Sequence, residues 1–253
     1  MKFKNGIKAI LFDFDGTLRH HLPTGGEVFS DYVISLGLSV TDEDRRRAAV
    51  WEHYYFANSP EIKSDLKKYN GEEGSFWYHF GHRRLAALGC PPDLIPELGP
   101  KASDYMREHY KPSVWVPEET HTVIPRLRQS GFTLGVVSNR DDPYLDEIEE
   151  IGMKDYFHFS LAGGEVKSWK PDPEIFEHAL QMAGSMPEQT LYVGDNYFAD
   201  VVGAQRAGLQ PVLYDPKGLF HEPDCPVIAS FEELMEMVSS SNPHPATTYS
   251  TNI

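Results

Sequence analysis

A chain of 253 residues with 38 acidic against 23 basic side chains, a formal net charge of −15, lacks the basic surface that non-specific nucleic-acid binding draws on. Its composition, 40% hydrophobic and 24% charged, is that of a globular protein with one or two domains, and no apolar run approaches the roughly 20 residues of a membrane span. Cys90 and Cys225 show neither metal-ligand spacing nor a disulfide framework, and the first strand follows the N-terminus too closely for a signal peptide, so a reducing cytoplasm is expected.

The first element is a short apolar run, Ile7-Lys-Ala-Ile-Leu-Phe, that ends in Asp13-Phe14-Asp15-Gly16-Thr17-Leu18. Side chains alternate along a strand, so Asp13 and Asp15 would leave a regular strand on one face. Carboxylates held side by side repel, which a fold tolerates mainly where a cation or a proton shuttle uses them. The competing reading of Asp-x-Asp is a solvated acidic turn. Arg19 to Gly26 then reads as a turn-rich stretch. From there to about Tyr110 the periodicity is helical, with no convincing strand. Helices are expected over 27–38, from a capping box at Thr41-Asp42-Glu43-Asp44 to about Ala57, and over 62–69, 75–88 and 93–109, the third and fourth separated by Asn70-Gly71.

Beyond Tyr110 the period changes. Strands are expected over 132–139, 157–162, 190–194, 211–214 and 227–229, alternating with helices over 122–129, 146–151, 173–183, 199–207 and 231–238. Pro125 is acceptable in the first of these helices if it lies in the first turn. Alternation of this kind indicates a parallel sheet covered on both faces. The closing Ser-Ser-Ser-Asn-Pro segment lacks apolar patterning, and 241–253 reads as a disordered tail. The fold class is therefore α/β: a Rossmann-like doubly wound core from 1–18 and 112–240, with an all-helical cap, 19–111, inserted after the first strand. Ligands of open α/β sheets bind beyond the carboxyl ends of the strands, so the insertion would sit above the site.

Three later strand ends carry polar groups: Ser138-Asn139, Lys170 in Trp169-Lys170-Pro171-Asp172-Pro173, and Gly194-Asp195-Asn196-Tyr197-Phe198-Ala199-Asp200. None alone is specific, since turns favour Ser and Asn, a lone lysine is usually solvated although Pro171 and Pro173 aim this one from a rigid loop, and an acid-rich helix start could account for Asp200. In this order, together with Asp13-Phe-Asp15-Gly-Thr, they resemble motifs one to four of the haloacid dehalogenase-like hydrolase superfamily, and the insertion resembles its C1-type helical cap.

The resemblance implies a phosphatase, a phosphoric monoester hydrolase of a small phosphorylated metabolite, working through an aspartyl-phosphate. Asp13 would be the nucleophile and Asp15 the general acid and base. Mg²⁺ would be held by Asp13, Asp195 and the Asp15 carbonyl, with Asp200 ranked lower. Ser138, Asn139, Thr17 and the N–H groups around Gly16 would bind the phosphoryl group, and Lys170 would neutralise it and Asp13. Such a spot answers the charge problem that an acidic protein poses to an anionic substrate. An aspartate at position 15 favours phosphate-ester chemistry over dehalogenation. A sugar phosphomutase and a non-catalytic relative that binds partners are the alternatives. Monomer and homodimer both remain open.

The cap is less informative. Trp51-Glu-His53-Tyr54-Tyr55-Phe56 and Phe76-Trp77-Tyr78-His79-Phe80 are expected to pack helices against each other rather than form a substrate surface. Arg83 and Arg84 read as a solvated face or a site for a second anion. Arg19, His20, His21 and Arg140 lie nearer the motifs but stay outside the catalytic set.

Overall fold

The structure, a computed structural model, describes residues 6–69 and 75–241. In chain order the elements are β1 (Ala9–Phe12), β2 (His20–Leu22), α1 (Gly25–Ser35), α2 (Asp42–Phe56), α3 (Pro60–Tyr69), α4 (Ser75–Ala87), α5 (Ile95–His109) and β3 (Ser113–Trp115). There follow α6 (Thr120–Gln129), β4 (Thr133–Ser138), α7 (Leu145–Glu150), β5 (Phe159–Ala162), α8 (Gly163–Val166), α9 (Pro173–Ala183) and β6 (Thr190–Gly194). The chain closes with α10 (Val202–Arg206), β7 (Gln210–Tyr214), β8 (Val227–Ile228) and α11 (Phe231–Ser241).

Six parallel strands form one sheet in the order β5-β4-β1-β6-β7-β8. Its strands read as continuous apolar runs because both faces are covered. Ile10, Phe12, Leu134, Val136, Leu191 and Val193 face one apolar layer, and Leu11, Val137 and Tyr192 face another that includes Ile175, Phe176, Ala179 and Leu180 of α9. Because the chain runs outward from β1 to β4 and β5 and then returns to β6, β1 sits where the strand order reverses. Phe12 pairs with Val136 on one side and Val193 on the other. The residues just beyond these three positions are therefore neighbours, although the chain separates them widely.

The inserted helices α1 to α5 carry their own apolar cluster, with Phe29, Val33, Leu85, Leu88, Leu98 and Ala102 at its centre. Thr41 caps α2 reciprocally with Asp44, as the sequence suggested, and Thr24 and Glu27 do the same for α1.

Four local expectations are corrected. His20–Leu22, read as turn, pairs antiparallel with Ser113–Trp115, so the chain enters and leaves the helical segment through a two-stranded ribbon. Such short strands hold only by pairing across about 90 residues of intervening chain, which local periodicity does not register. Pro125 falls in the second turn of α6, because that helix begins at Thr120. The bond it removes belongs to the carbonyl of His121, an exposed residue that water can reach. Ser239 and Ser240 continue α11, their hydroxyls donating to the carbonyls of Met235 and Glu236, so the last helix outruns its apolar stripe. Residues 199–201, expected in an α-helix, lie in a π-helical turn, Tyr197–Val201. The Asn70-Gly71 break and residues 242–253 of the expected tail lie outside the described residues. Among the described residues no helix is long and apolar enough to cross a membrane.

Candidate active site

The site is built on the carboxyl ends of β1, β4 and β6. Asp13 continues the ladder, its N–H donating to the Val193 carbonyl at 2.8 Å, and its side chain is 7% exposed. Lys170 reaches it from the loop before α9. The ammonium donates to Asp13 Oδ1 at 2.5 Å, to Asp200 Oδ1 at 2.7 Å and to the Tyr192 hydroxyl at 3.0 Å, so all three of its protons have acceptors. Tyr192 in turn donates to the Val137 carbonyl at 3.0 Å. Asn139 aims this lysine: its Oδ1 accepts the Lys170 N–H at 2.6 Å and its Nδ2 donates to the Lys170 carbonyl at 2.9 Å. Both ends of the Asn139 amide thus hold the lysine's backbone.

Thr17 and Gly16 also have structural partners. The Thr17 hydroxyl accepts the Asp195 N–H and donates to Asp195 Oδ1, both at 3.0 Å. Gly16 has φ +95°, and a Cβ there would lie 2.4 Å from Asp195 Oδ2, so only glycine lets the β1 turn approach this carboxylate. Its N–H donates to the Arg19 carbonyl at 2.8 Å. These contacts tie motif one to the β6 loop. Ser138, the last residue of β4, is buried and lines the cavity described below.

The π-helical turn after β6 positions Asp200. Asn196 caps it, accepting the N–H groups of Phe198 and Ala199 at 3.1 Å, while its own N–H donates to Asp200 Oδ2 at 2.9 Å. Asp200 is thereby returned against the strand end at 1% exposure, and a Cβ at Gly194 would collide with it. Asp13, Asp195 and Asp200 offer carboxylate oxygens within 4.8 Å of one another. Asp200, ranked below Asp195 in the sequence, belongs to the same cluster. The Asp15 side chain lies outside it; only its carbonyl was expected to ligate.

Electrostatics separate the two motif-one aspartates. Burial pushes the Asp13 carboxyl well up, with Asp200 and Asp195 adding to the effect and Lys170 opposing it. Asp195 is pushed up to about 7 by burial and by Asp200. Burial alone would lower Lys170, but Asp13 and Asp200 outweigh it and keep the ammonium charged. Asp15 goes the other way. Burial would raise it, yet Arg140 and Arg19 hold it below the usual carboxylate range. Arg19 Nε donates to Asp15 Oδ1 at 2.9 Å, and Arg140 donates to Oδ2 at 2.8 Å and to Oδ1 at 3.2 Å. Glu147 closes the ring by pairing with both arginines. The two aspartates therefore do not repel across a shared face; each faces its own cation.

Once all three are ionised, these carboxylates against one lysine would carry a surplus of two negative charges in a largely buried place. An all-oxygen donor set carrying that surplus fits a hard divalent cation.

Asp13, Asp15, Ser138, Asn139, Lys170, Asp195 and Asp200 all line one cavity of about 640 Å³. Its other wall comes from the helical segment: Glu52, His53 and Phe56 at the end of α2, Asn58, and Ile62 and Leu66 of α3. Asn196 Nδ2 donates to the His53 carbonyl at 2.9 Å, linking the two walls. Most cap aromatics pack on each other, as Trp51, Tyr55 and Phe80 do, but Phe56 both packs and faces the cavity. Neither arginine of the 83–84 pair forms a plain solvated face. Arg84 is 3% exposed and pairs with Glu52, and Arg83 forks onto Asp65 at 2.6 and 3.0 Å. Tyr192 and Glu147 escaped sequence reasoning, one hidden in an apolar strand and the other in an acidic helix.

A sequence profile described as haloacid dehalogenase-like hydrolase matches residues 10–213, from β1 through β7. The chain belongs to the haloacid dehalogenase-like hydrolase family. The haloacid dehalogenase-like hydrolase domain-containing protein 3 of Bos taurus is 35% identical over 118 residues, 46% of this chain and 47% of that protein. The chain thus matches only about half the length of that relative. A glyceraldehyde 3-phosphate phosphatase of Methanothermobacter thermautotrophicus is 27% identical over 215 residues, covering 82% of this chain and 85% of that protein. Among solved structures, the 2-haloacid dehalogenase of Pseudomonas syringae pv. Tomato DC3000 is similar, with a TM-score of 0.54 and 24% identity over 93% of this chain and all of that one. That likeness bears on the haloacid dehalogenase-like fold and not on the choice of reaction.

Proposed function

We propose that the protein is a Mg²⁺-dependent phosphatase of a small phosphorylated metabolite, with Asp13 as nucleophile. The observation that carries this reading is the Asp13 carboxylate, fixed by Lys170 at the end of the central strand and facing a cavity lined by Asp15. One oxygen of Asp13 is engaged by the ammonium at 2.5 Å, which leaves the other to attack phosphorus. Attack would form a P–O bond to Asp13 and break the ester P–O bond, giving an aspartyl-phosphate that water then hydrolyses. Lys170 offsets charge on both Asp13 and the transferring group. Asp13, Asp195 and Asp200 would hold Mg²⁺, which supplies charge neutralisation for phosphoryl oxygens when bound.

Asp15 would protonate the leaving oxygen and later take a proton from water. Its pairing with Arg19 and Arg140 keeps it ionised, the state the second half-reaction needs, so the first half requires Asp15 to leave that pairing. Ser138 supplies a hydroxyl at the strand end for the phosphoryl oxygens. The phosphatase relative supports the same reaction class.

The test is phosphate release from an aryl phosphate with Mg²⁺ present. Asp13→Asn is expected to lower kcat by about 10³-fold or more while the protein stays folded. Undiminished release by that variant would sink the mechanism, and a phosphorus NMR spectrum showing isomerised ester without free phosphate would replace it by a mutase.

A further inference from the structure

The helical wall of the cavity has an inverted surface. On α3, Asp65 turns into the protein at 2% exposure while its neighbour Leu66 is 42% exposed. Leu66 and Ile62 lie one turn apart and both line the cavity, joined by Phe56 from α2. An amphipathic helix that buries its carboxylate and presents its leucine is placed to meet an apolar ligand.

The charges around the cavity tell against a second anion. Glu52 and Asp141 line the cavity, and among the described residues its cations are Lys170 and Arg140 with His53. Lys170 is held by Asp13 and Asp200, and Arg140 by Asp15 and Glu147. His53 Nδ1 lies 4.0 Å from Asp195 Oδ2, so it too already faces a carboxylate of the cluster. Arg84 approaches Glu52 but does not line the cavity. A carboxylate or second phosphate on the leaving group would lose its water and meet carboxylates without a free counter-charge. The volume, about 640 Å³, accommodates far more than a phosphoryl group.

We propose that the leaving group is an uncharged alcohol with an apolar body seated on Phe56, Ile62 and Leu66, and that it carries no second anionic group. This rests on the phosphatase reading for the identity of the phosphoryl head. Two measurements on the full chain with Mg²⁺ keep the two ideas apart. The first is binding of phenylphosphonate against its para-carboxylated analogue, neither of which can be hydrolysed as an ester. The second is kcat/KM for phenyl phosphate against para-carboxyphenyl phosphate. The uncharged member of each pair is expected to be favoured about tenfold or more. Leu66→Arg, which adds a cation to the wall, is expected to shrink both ratios about tenfold by improving the carboxylated ligand. Equal binding of the two phosphonates, or binding of neither, overturns the inference whatever the turnover. Clear phosphonate discrimination without hydrolysis of either ester upholds it and overturns only the phosphatase reading.

Discussion

The core and the helical segment each bury a carboxylate in a polar cluster, and the two clusters solve the same problem differently. In the segment, Asp65 is met by Arg83 through two bonds, by the Tyr55 hydroxyl at 2.9 Å and by His79 at 3.4 Å. Burial would raise its pKa, but Arg83 and Tyr55 prevail and hold it below the ordinary value. In the core, Asp13 and Asp200 share one lysine while Asp195 takes the Thr17 hydroxyl, and burial lifts Asp13 and Asp195 instead. A balanced cluster is an internal fastening. An unbalanced one stores a demand for positive charge that a ligand can meet, and this difference marks a functional site more clearly than burial does.

The comparison can be broken from either side. The largest effect is expected from Lys170→Met, which leaves Asp13 and Asp200 buried without their cation and should cost about 3–5 kcal/mol of stability by urea unfolding. Asp200→Asn in the same chain should return part of that loss, and the absence of any return would deny that Lys170 balances this cluster. Mg²⁺ sharpens the contrast. At 100 times its Kd it should stabilise the native chain by about 2.7 kcal/mol, read as a rise in Tm. Asp195→Asn should lose most of that rise, whereas Asp65→Asn should keep it.

Arg83→Met should be milder, about 1–3 kcal/mol, because a third of the arginine side chain is already solvated and Tyr55 still donates to Asp65. Its kcat should stay within about twofold of the native value, Arg83 being outside the cavity lining. The smallest effect is pH-dependent. A depressed Asp65 pKa contributes stability that is full above the ordinary carboxylate value and is lost as pH falls through the folded value. The Tm difference between native protein and Asp65→Asn should therefore be constant above about pH 5 and close below about pH 4. A gap that widened toward acid would contradict the assignment.

Much of this was legible from local chemistry. The capping box at Thr41, the helix Pro173–Ala183 between its proline start and glycine end, and the strand Thr190–Gly194 follow from neighbouring residues alone. The order of the four motif stretches along the chain likewise carries the family resemblance. The partners of those residues were not legible. Thr17 and Asn139, expected on the phosphoryl group, were found holding Asp195 and Lys170, 178 and 31 positions away. Arg84, read as solvent or substrate contact, was found buried against Glu52.

The chain's own chemistry thus marked the candidate site residues and placed the strands, because backbone preference and side-chain alternation act over a few positions. Which carboxylate meets lysine, which meets arginine, and which remain in surplus was decided by folding. Strands β1, β4 and β6 lie side by side only once the sheet has formed, and burial then fixes how strongly each charge feels the next.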